Sequence, residues 1–170
     1  MHLLKYLVIL LFPMLLFSNE QRILLSGFTI HEHSRDLFDE EYNAFNYGAG
    51  YEYNFFNDYK EIYFSGNILV INDSFANPQL IVGFGHYYRF DLDVMDIALG
   101  LSGFMGWKKI YEEGEDLDRN GGKYGIMGGA GPVAVFYYKN FSVNLIYVPG
   151  IAYKELETTG FLYTYFGFKF

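Results

Sequence analysis

No cysteine occurs in the 170 residues, so disulfides cannot hold this fold and a lipidated N-terminal cysteine is excluded. Basic residues are also scarce. Lys and Arg number 12 against 20 Asp and Glu, a formal net charge of −8. That balance argues against nucleic acid as a partner, and an anionic lipid surface would repel the chain unless divalent cations bridge the two. No window sustains a helical period, and there are no internal repeats, linkers or low-complexity stretches. The one long apolar run, Tyr6–Phe17, is interrupted by Pro13 and is shorter than the roughly 20 residues a spanning helix needs. With the short basic start Met1–Lys5 before it and Ser18 behind it, the run has the pattern of a cleaved signal peptide over residues 1–18. Residues 19–170 then make one domain.

What the chain does have is aromatic side chains, 17 Tyr and 18 Phe beside a single Trp. They recur with a period of two. From Asn43 to Phe55, Phe45, Tyr47, Ala49, Tyr51, Tyr53 and Phe55 share one parity; Ala44, Asn46, Gly48, Gly50, Glu52 and Asn54 share the other. An aromatic face opposite a small, polar one fits a narrow barrel with an apolar exterior and a tight interior. The same alternation places Ile62, Phe64, Gly66, Ile68 and Val70 outward in a third strand, with Ser65 and Asn67 inward. In a fourth, Leu80, Val82, Phe84 and Tyr88 face out while Gly83, Gly85 and Arg89 face in. Ile97, Leu99, Leu101, Gly103 and Met105 line the outside of a fifth. A first strand near Ile23–His33, with segments near Gly125–Tyr138, Phe141–Val148 and Gly160–Phe170, completes eight.

The connections alternate in length. Short turns are expected at Asn57-Asp58, Asp91–Asp93 and Lys139-Asn140, and longer loops at Ser34–Glu41, Asp73–Pro78, Lys108–Lys123 and Ala152–Thr159. The last strand carries Phe166, Phe168 and the terminal Phe170 on one parity, resembling the signal recognised by the outer-membrane assembly machinery. The expectation is all-β: an eight-stranded antiparallel transmembrane barrel of the outer membrane, with the long loops outside the cell.

Chemistry-bearing residues gather at one rim. His31 closes the first strand, and Asp73 and Ser74 close the third. A serine hydroxyl becomes a useful nucleophile when a base withdraws its proton; histidine is the usual base, oriented by a carboxylate. Neighbours in an extended strand point to opposite faces, so Asp73 and Ser74 can reach His31 together only through a turn or bulge. Asn72-Asp73-Ser74 is equally a polar turn signal. His33 rivals His31 on the same face, and His86 falls on the lipid-facing parity. In the acidic loop, Asp116-Leu117-Asp118-Arg119-Asn120-Gly121 has the spacing of half a calcium loop, but Met127 stands where the closing glutamate belongs, so a solvated loop tip is expected and no metal.

At several separated places the sequence resembles the outer-membrane lipid A palmitoyltransferases of the PagP type. The resemblance lies in Thr29-Ile30-His31, Tyr42-Asn43, Gly48-Ala49-Gly50, Asp73-Ser74, Gly83-Phe84-Gly85 and Tyr147-Val148-Pro149-Gly150, with Pro132 and Pro149 in matching separation. It implies a monomeric, cofactor-free acyltransferase of the outer membrane, with its active site facing the extracellular side. The donor would be an outer-leaflet phospholipid giving up a palmitoyl-like chain, and the acceptor a hydroxyl of lipid A. His31, Asp73 and Ser74 would be catalytic. Gly85 would floor the pocket that measures the acyl chain, while Pro132 and Pro149 would weaken strand pairing to let lipid in, since proline lacks a ladder N–H. Two departures stand out. Only Asn19–Arg22 separate the expected signal from the first strand, where the family has an amphipathic helix, and Asn46 replaces a family proline at one of its two lateral gates. Two other functions fit the residues: a non-catalytic adhesion or structural barrel working through its acidic loop, and a lipid A deacylase or phospholipase that sends the chain to water. A soluble lipid-binding barrel fits poorly, because an aromatic exterior aggregates in water.

Overall fold

A computed structural model describes residues 20–32, 42–56, 61–110, 122–153 and 156–170. Its strands are β1 (Glu20–His31), β2 (Gly48–Phe56), β3 (Ile62–Asn72), β4 (Pro78–Asp91), β5 (Asp96–Ile110), β6 (Lys123–Tyr138), β7 (Phe141–Val148), β8 (Ile151–Tyr153), β9 (Leu156–Thr158) and β10 (Phe161–Lys169). Eight of them close an antiparallel barrel in the order β1-β10-β7-β6-β5-β4-β3-β2, as the alternation predicts, while β8 and β9 pair separately.

Period-two patterning explains the closure. Along β4, Gly83, Gly85 and Tyr87 are buried while Val82, Phe84, His86 and Tyr88 are exposed. The exposed face is largely aliphatic, with Ile68, Val70, Val82, Leu99 and Leu101, and carries Phe84 at mid-strand. Aromatics flank that band, Tyr47, Trp107 and Tyr124 at one end and Tyr88, Phe90, Tyr138, Phe141 and Phe168 at the other. An outside of this kind suits hydrocarbon between two interfaces. His86 lies on it, stacked against Phe64 at 4.6 Å.

Element ends differ from the sequence expectation where side chains compete with the ladder. The first strand starts earlier, so Glu20–Arg22 belong to it, and it stops at His31. The second begins at Gly48, because Asn43 turns the chain by bonding Phe45 on both its N–H (3.2 Å) and its carbonyl (2.7 Å). Lys108 and Lys123 lie in β5 and β6 rather than in the loop between them, and Ala152–Thr159 contains the β8–β9 pairing. The expected signal peptide, His33, the Asn57-Asp58 turn and the acidic residues 112–118 lie outside the described residues.

The lumen has two halves. Nearest the turn between β6 and β7 it is filled with charge and tyrosine. Buried Arg22 pairs with Glu20 and lies 3.9 Å from Glu52, and Glu20 also meets Lys169 (3.0 Å) and Arg89 (3.7 Å). The guanidinium groups of Arg22 and Arg89 both stack on the Tyr137 ring, at 4.5 and 4.6 Å. Above them Tyr63 stacks on Tyr87 at 4.7 Å and bonds its hydroxyl to that of Tyr137. The other half is hollow, and the candidate site sits at its mouth.

Candidate active site

His31 reaches the lumen because β1 is bulged. Arg22–Ser26 pair with Lys169–Tyr165 one for one, but Phe28 then pairs with Thr164, leaving Gly27 without a register partner on β10. One extra residue reverses the parity of everything after it. Glu20, Arg22 and Leu24 face inward before the bulge, and Thr29 and His31 face inward after it. Glycine is required here: a Cβ at Gly27 would collide with the carbonyl oxygen of Thr164.

Ser74 arrives from the other side of the mouth on a tight turn after β3. The buried Asp73 carboxylate organises that turn, its Oδ1 accepting the backbone N–H groups of Phe75 (2.9 Å) and Asn77 (2.8 Å). Asp73 N–H donates to the Asn77 carbonyl at 2.8 Å, and Ala76 takes φ 61°, a left-handed value unusual for a residue with a side chain. The Ser74 carbonyl accepts Asn43 N–H at 2.9 Å, fixing the turn to the segment that leads into β2.

The result is a contact of 2.7 Å between His31 Nε2 and Ser74 Oγ. Among the described residues no group hydrogen-bonds His31 Nδ1. The imidazole is held by rings instead, stacked on Tyr42 at 3.9 Å and tilted against Phe161 at 5.8 Å. The structure therefore brings His31 and Ser74 together and gives Asp73 a different position from an orienting carboxylate. Its second oxygen, Oδ2, faces Lys108 Nζ at 3.6 Å.

Below the pair lies a cavity of about 330 Å³. Leu69, Ile71, Ile81, Phe104, Ile146 and Tyr163 give it an apolar wall, with Asn67, Ser102 and Tyr165 among its polar members. Volume and lining are those of a small-molecule pocket with a few directing polar groups. Gly85 is inward and buried, yet it is not on this wall. A Cβ there would fall 2.5 Å from the ring and hydroxyl of Tyr87, so that side chain occupies the space Gly85 leaves.

The two expected gates are built differently. The β6–β7 ladder runs only from Val133–Ile146 to Tyr138–Phe141. Pro132 directly precedes it on β6, and Pro149 follows the end of β7. Gly128 and Ala130, exposed on β6 above that ladder, line the cavity together with Pro149, so at this level the cavity wall lacks β6–β7 ladder pairs. At the β1–β2 side Asn46 does the reverse. Its buried amide accepts the Thr29 hydroxyl and donates to the Asn72 carbonyl (3.0 Å), while its backbone N–H bonds the carbonyl of bulged Gly27 (3.1 Å). Asn46 thus stitches β1 to β3 above the point where the β1–β2 ladder stops. Sequence reasoning missed Gly27, Lys108 and Tyr87; an isolated glycine in an alternating strand was the available sign of the first.

No protein-family model matches the chain. The lipid A acyltransferase PagP of Methylobacillus flagellatus is 27% identical over 125 residues, 69% of this chain, and the match spans 61% of that relative's length. Among solved structures, the N-terminal β-barrel domain of Pseudomonas aeruginosa OprF superposes with a TM-score of 0.51 at 17% identity, covering 90% of this chain and 98% of that one. In fold the chain is an eight-stranded barrel of outer-membrane type, and in sequence it is similar to a lipid A acyltransferase of the PagP type.

Proposed function

We propose that this protein moves an acyl chain from an outer-leaflet phospholipid to a hydroxyl of lipid A, at the extracellular rim of the outer membrane. One observation carries the reading: a histidine–serine hydrogen bond of 2.7 Å at the mouth of an apolar cavity, beside a stretch where β6 and β7 make no ladder pairs. The similarity to a lipid A acyltransferase points the same way. The tail of the donor enters the cavity and its ester carbonyl rests beside Ser74. His31 Nε2 accepts the proton of the attacking hydroxyl, either that of Ser74 or that of lipid A held by Ser74. The bond between the acyl carbon and the glycerol oxygen breaks, and His31 returns the proton to that oxygen. If Ser74 has attacked, a lipid A hydroxyl then attacks the acyl-serine ester, the bond from the acyl carbon to Oγ breaks, and His31 passes the lipid A proton to Oγ. If lipid A has attacked, its ester is already formed. Neither route changes an oxidation state. Stacking between Tyr42 and Phe161 keeps the imidazole aimed at Ser74, and Pro132 and Pro149 bound the opening by which lipid arrives.

The test is lipid A mass spectrometry on cells expressing the wild type, His31→Ala and Ser74→Ala, with folding checked by heat-modifiable gel migration. A gain of one acyl mass, lost in both folded variants, is the expected result. Free fatty acid without heavier lipid A would make the protein a hydrolase. No change in lipid at all would leave a non-catalytic barrel.

A further inference from the structure

The cavity mouth also holds a cation that the scheme above leaves unused. Lys108 sits near the outer end of β5 and lines the same cavity as His31 and Ser74. Its Nζ is 3.6 Å from Asp73 Oδ2 and 5.8 Å from the centre of the Phe75 ring. Both partners belong to the turn that carries Ser74, so one short segment fixes the hydroxyl and the ammonium relative to each other. Asp73 Oδ1 is committed to two backbone N–H groups, and Oδ2 makes no hydrogen bond among the described residues. The carboxylate therefore holds the ammonium nearby by charge without taking its donors, and an ammonium has three of them.

The chemistry around this group is that of an amphiphile's imprint. Beneath it the wall is apolar, with Leu69, Ile71, Ile81 and Phe104; at its level stand the hydroxyl and imidazole aimed at an ester. A ligand with a tail in the cavity and an ester at Ser74 presents its headgroup to Lys108. A compact point charge there recognises phosphate, and a charge-assisted hydrogen bond is about twice as strong as a neutral one. We infer that Lys108 binds a lipid phosphate at the cavity mouth. This rests on the acyltransferase reading and adds a phosphate-recognising residue to it. The donor's phosphate is the favoured source, because it hangs from the same glycerol as the ester under attack.

Purified, detergent-folded wild type, Lys108→Met and Lys108→Arg are compared with three substrate sets: phospholipid with lipid A, diacylglycerol with lipid A, and phospholipid with lipid A stripped of its phosphates. Lys108→Met should lower kcat/KM on the first set roughly tenfold or more, with Lys108→Arg retaining most of it. The difference from wild type should vanish with diacylglycerol. If it vanishes only with stripped lipid A, the phosphate bound is the acceptor's. An equal fall on all three sets overturns the inference. Calorimetric titration with a diether phospholipid, whose linkages cannot be transferred, against a dialkylglycerol separates this from catalysis. Binding that needs both the phosphate and Lys108 upholds the inference even in a protein that transfers nothing, in which case the acyltransferase reading alone falls. Equal binding of the two diethers by wild type, together with a Lys108→Met effect that survives on stripped lipid A, overturns it even in an active enzyme.

Discussion

His31 Nε2 lies 2.7 Å from Ser74 Oγ across 43 residues of chain, and the bulged Gly27 makes that contact possible. Counting by twos from the exposed Ile23 and Leu25 would turn His31 toward the outside of the barrel. The bulge turns it in.

Gly27→Val should therefore act on catalysis through geometry. Its side chain meets the Thr164 carbonyl, and the strand can accommodate it only by shifting the bulge. A misplacement of about 1 Å can cost on the order of 10²-fold in rate, and that loss is expected for acyl transfer by protein that still shows heat-modifiable migration. Wild-type rates from the folded variant would separate the site from the bulge.

Asp73 gives a test of turn against orienting carboxylate. Asp73→Asn keeps an Oδ1 able to accept the N–H groups of Phe75 and Asn77, whereas Asp73→Ala leaves both without that acceptor. Losing such bonds at a buried position costs about 1–3 kcal/mol. Asp73→Asn should then keep most of the stability in urea titrations and far more activity than Asp73→Ala. Equal, near-complete loss of activity in both, with Asp73→Asn fully stable, would return the carboxylate charge to the mechanism.

Asn46 closes the seam above the β1–β2 ladder through Thr29, Asn72 and Gly27. Asn46→Ala removes the side-chain half of that stitch and leaves buried partners unsatisfied, an expected loss of about 1–3 kcal/mol. Hydrogen exchange should rise at Thr29 and Asn72 and stay unchanged across the β3–β4 ladder. Protection unchanged at Thr29 would mean the backbone bonds alone hold the seam.

The barrel was legible in the sequence because its signal is local and repeated. Strands announce their outward parity by alternating apolar residues, aromatic from Phe45 to Phe55, mixed from Leu80 to Tyr88 and aliphatic from Ile97 to Met105. The pairing of His31 with Ser74 was legible only as a shared rim, since the register of two strands brought together by closure is written in neither. Gly27 reversed a parity that alternation alone carries straight through. The charged pair Lys108-Lys109 after Trp107 reads as a strand end, yet β5 continues three residues past Trp107 by pairing with β6. Asp73 was recognised as both turn residue and catalytic candidate, and nothing in a tripeptide separates a carboxylate that caps a turn from one that faces an imidazole.

Tyr87 is not on the cavity wall itself but fills the space beside Gly85. Gly85 is where an acyl chain would find room if the lumen were empty, but the Tyr87 ring lies over it, held in turn by its stacking on Tyr63 at 4.7 Å. Gly85→Met in the wild-type background should then overpack the lumen, costing about 1–3 kcal/mol, before it tunes chain length. Tyr87→Leu should instead deepen the cavity and move the transferred chains toward greater length in lipid A mass spectra. In that background Gly85→Met gains the space to fill, and the distribution should shorten again. If Tyr87→Leu folds and transfers the same chains as wild type, the limit lies higher, where Ser102 and Tyr165 line the cavity, and the ring over Gly85 serves only the packing of the tyrosine layer.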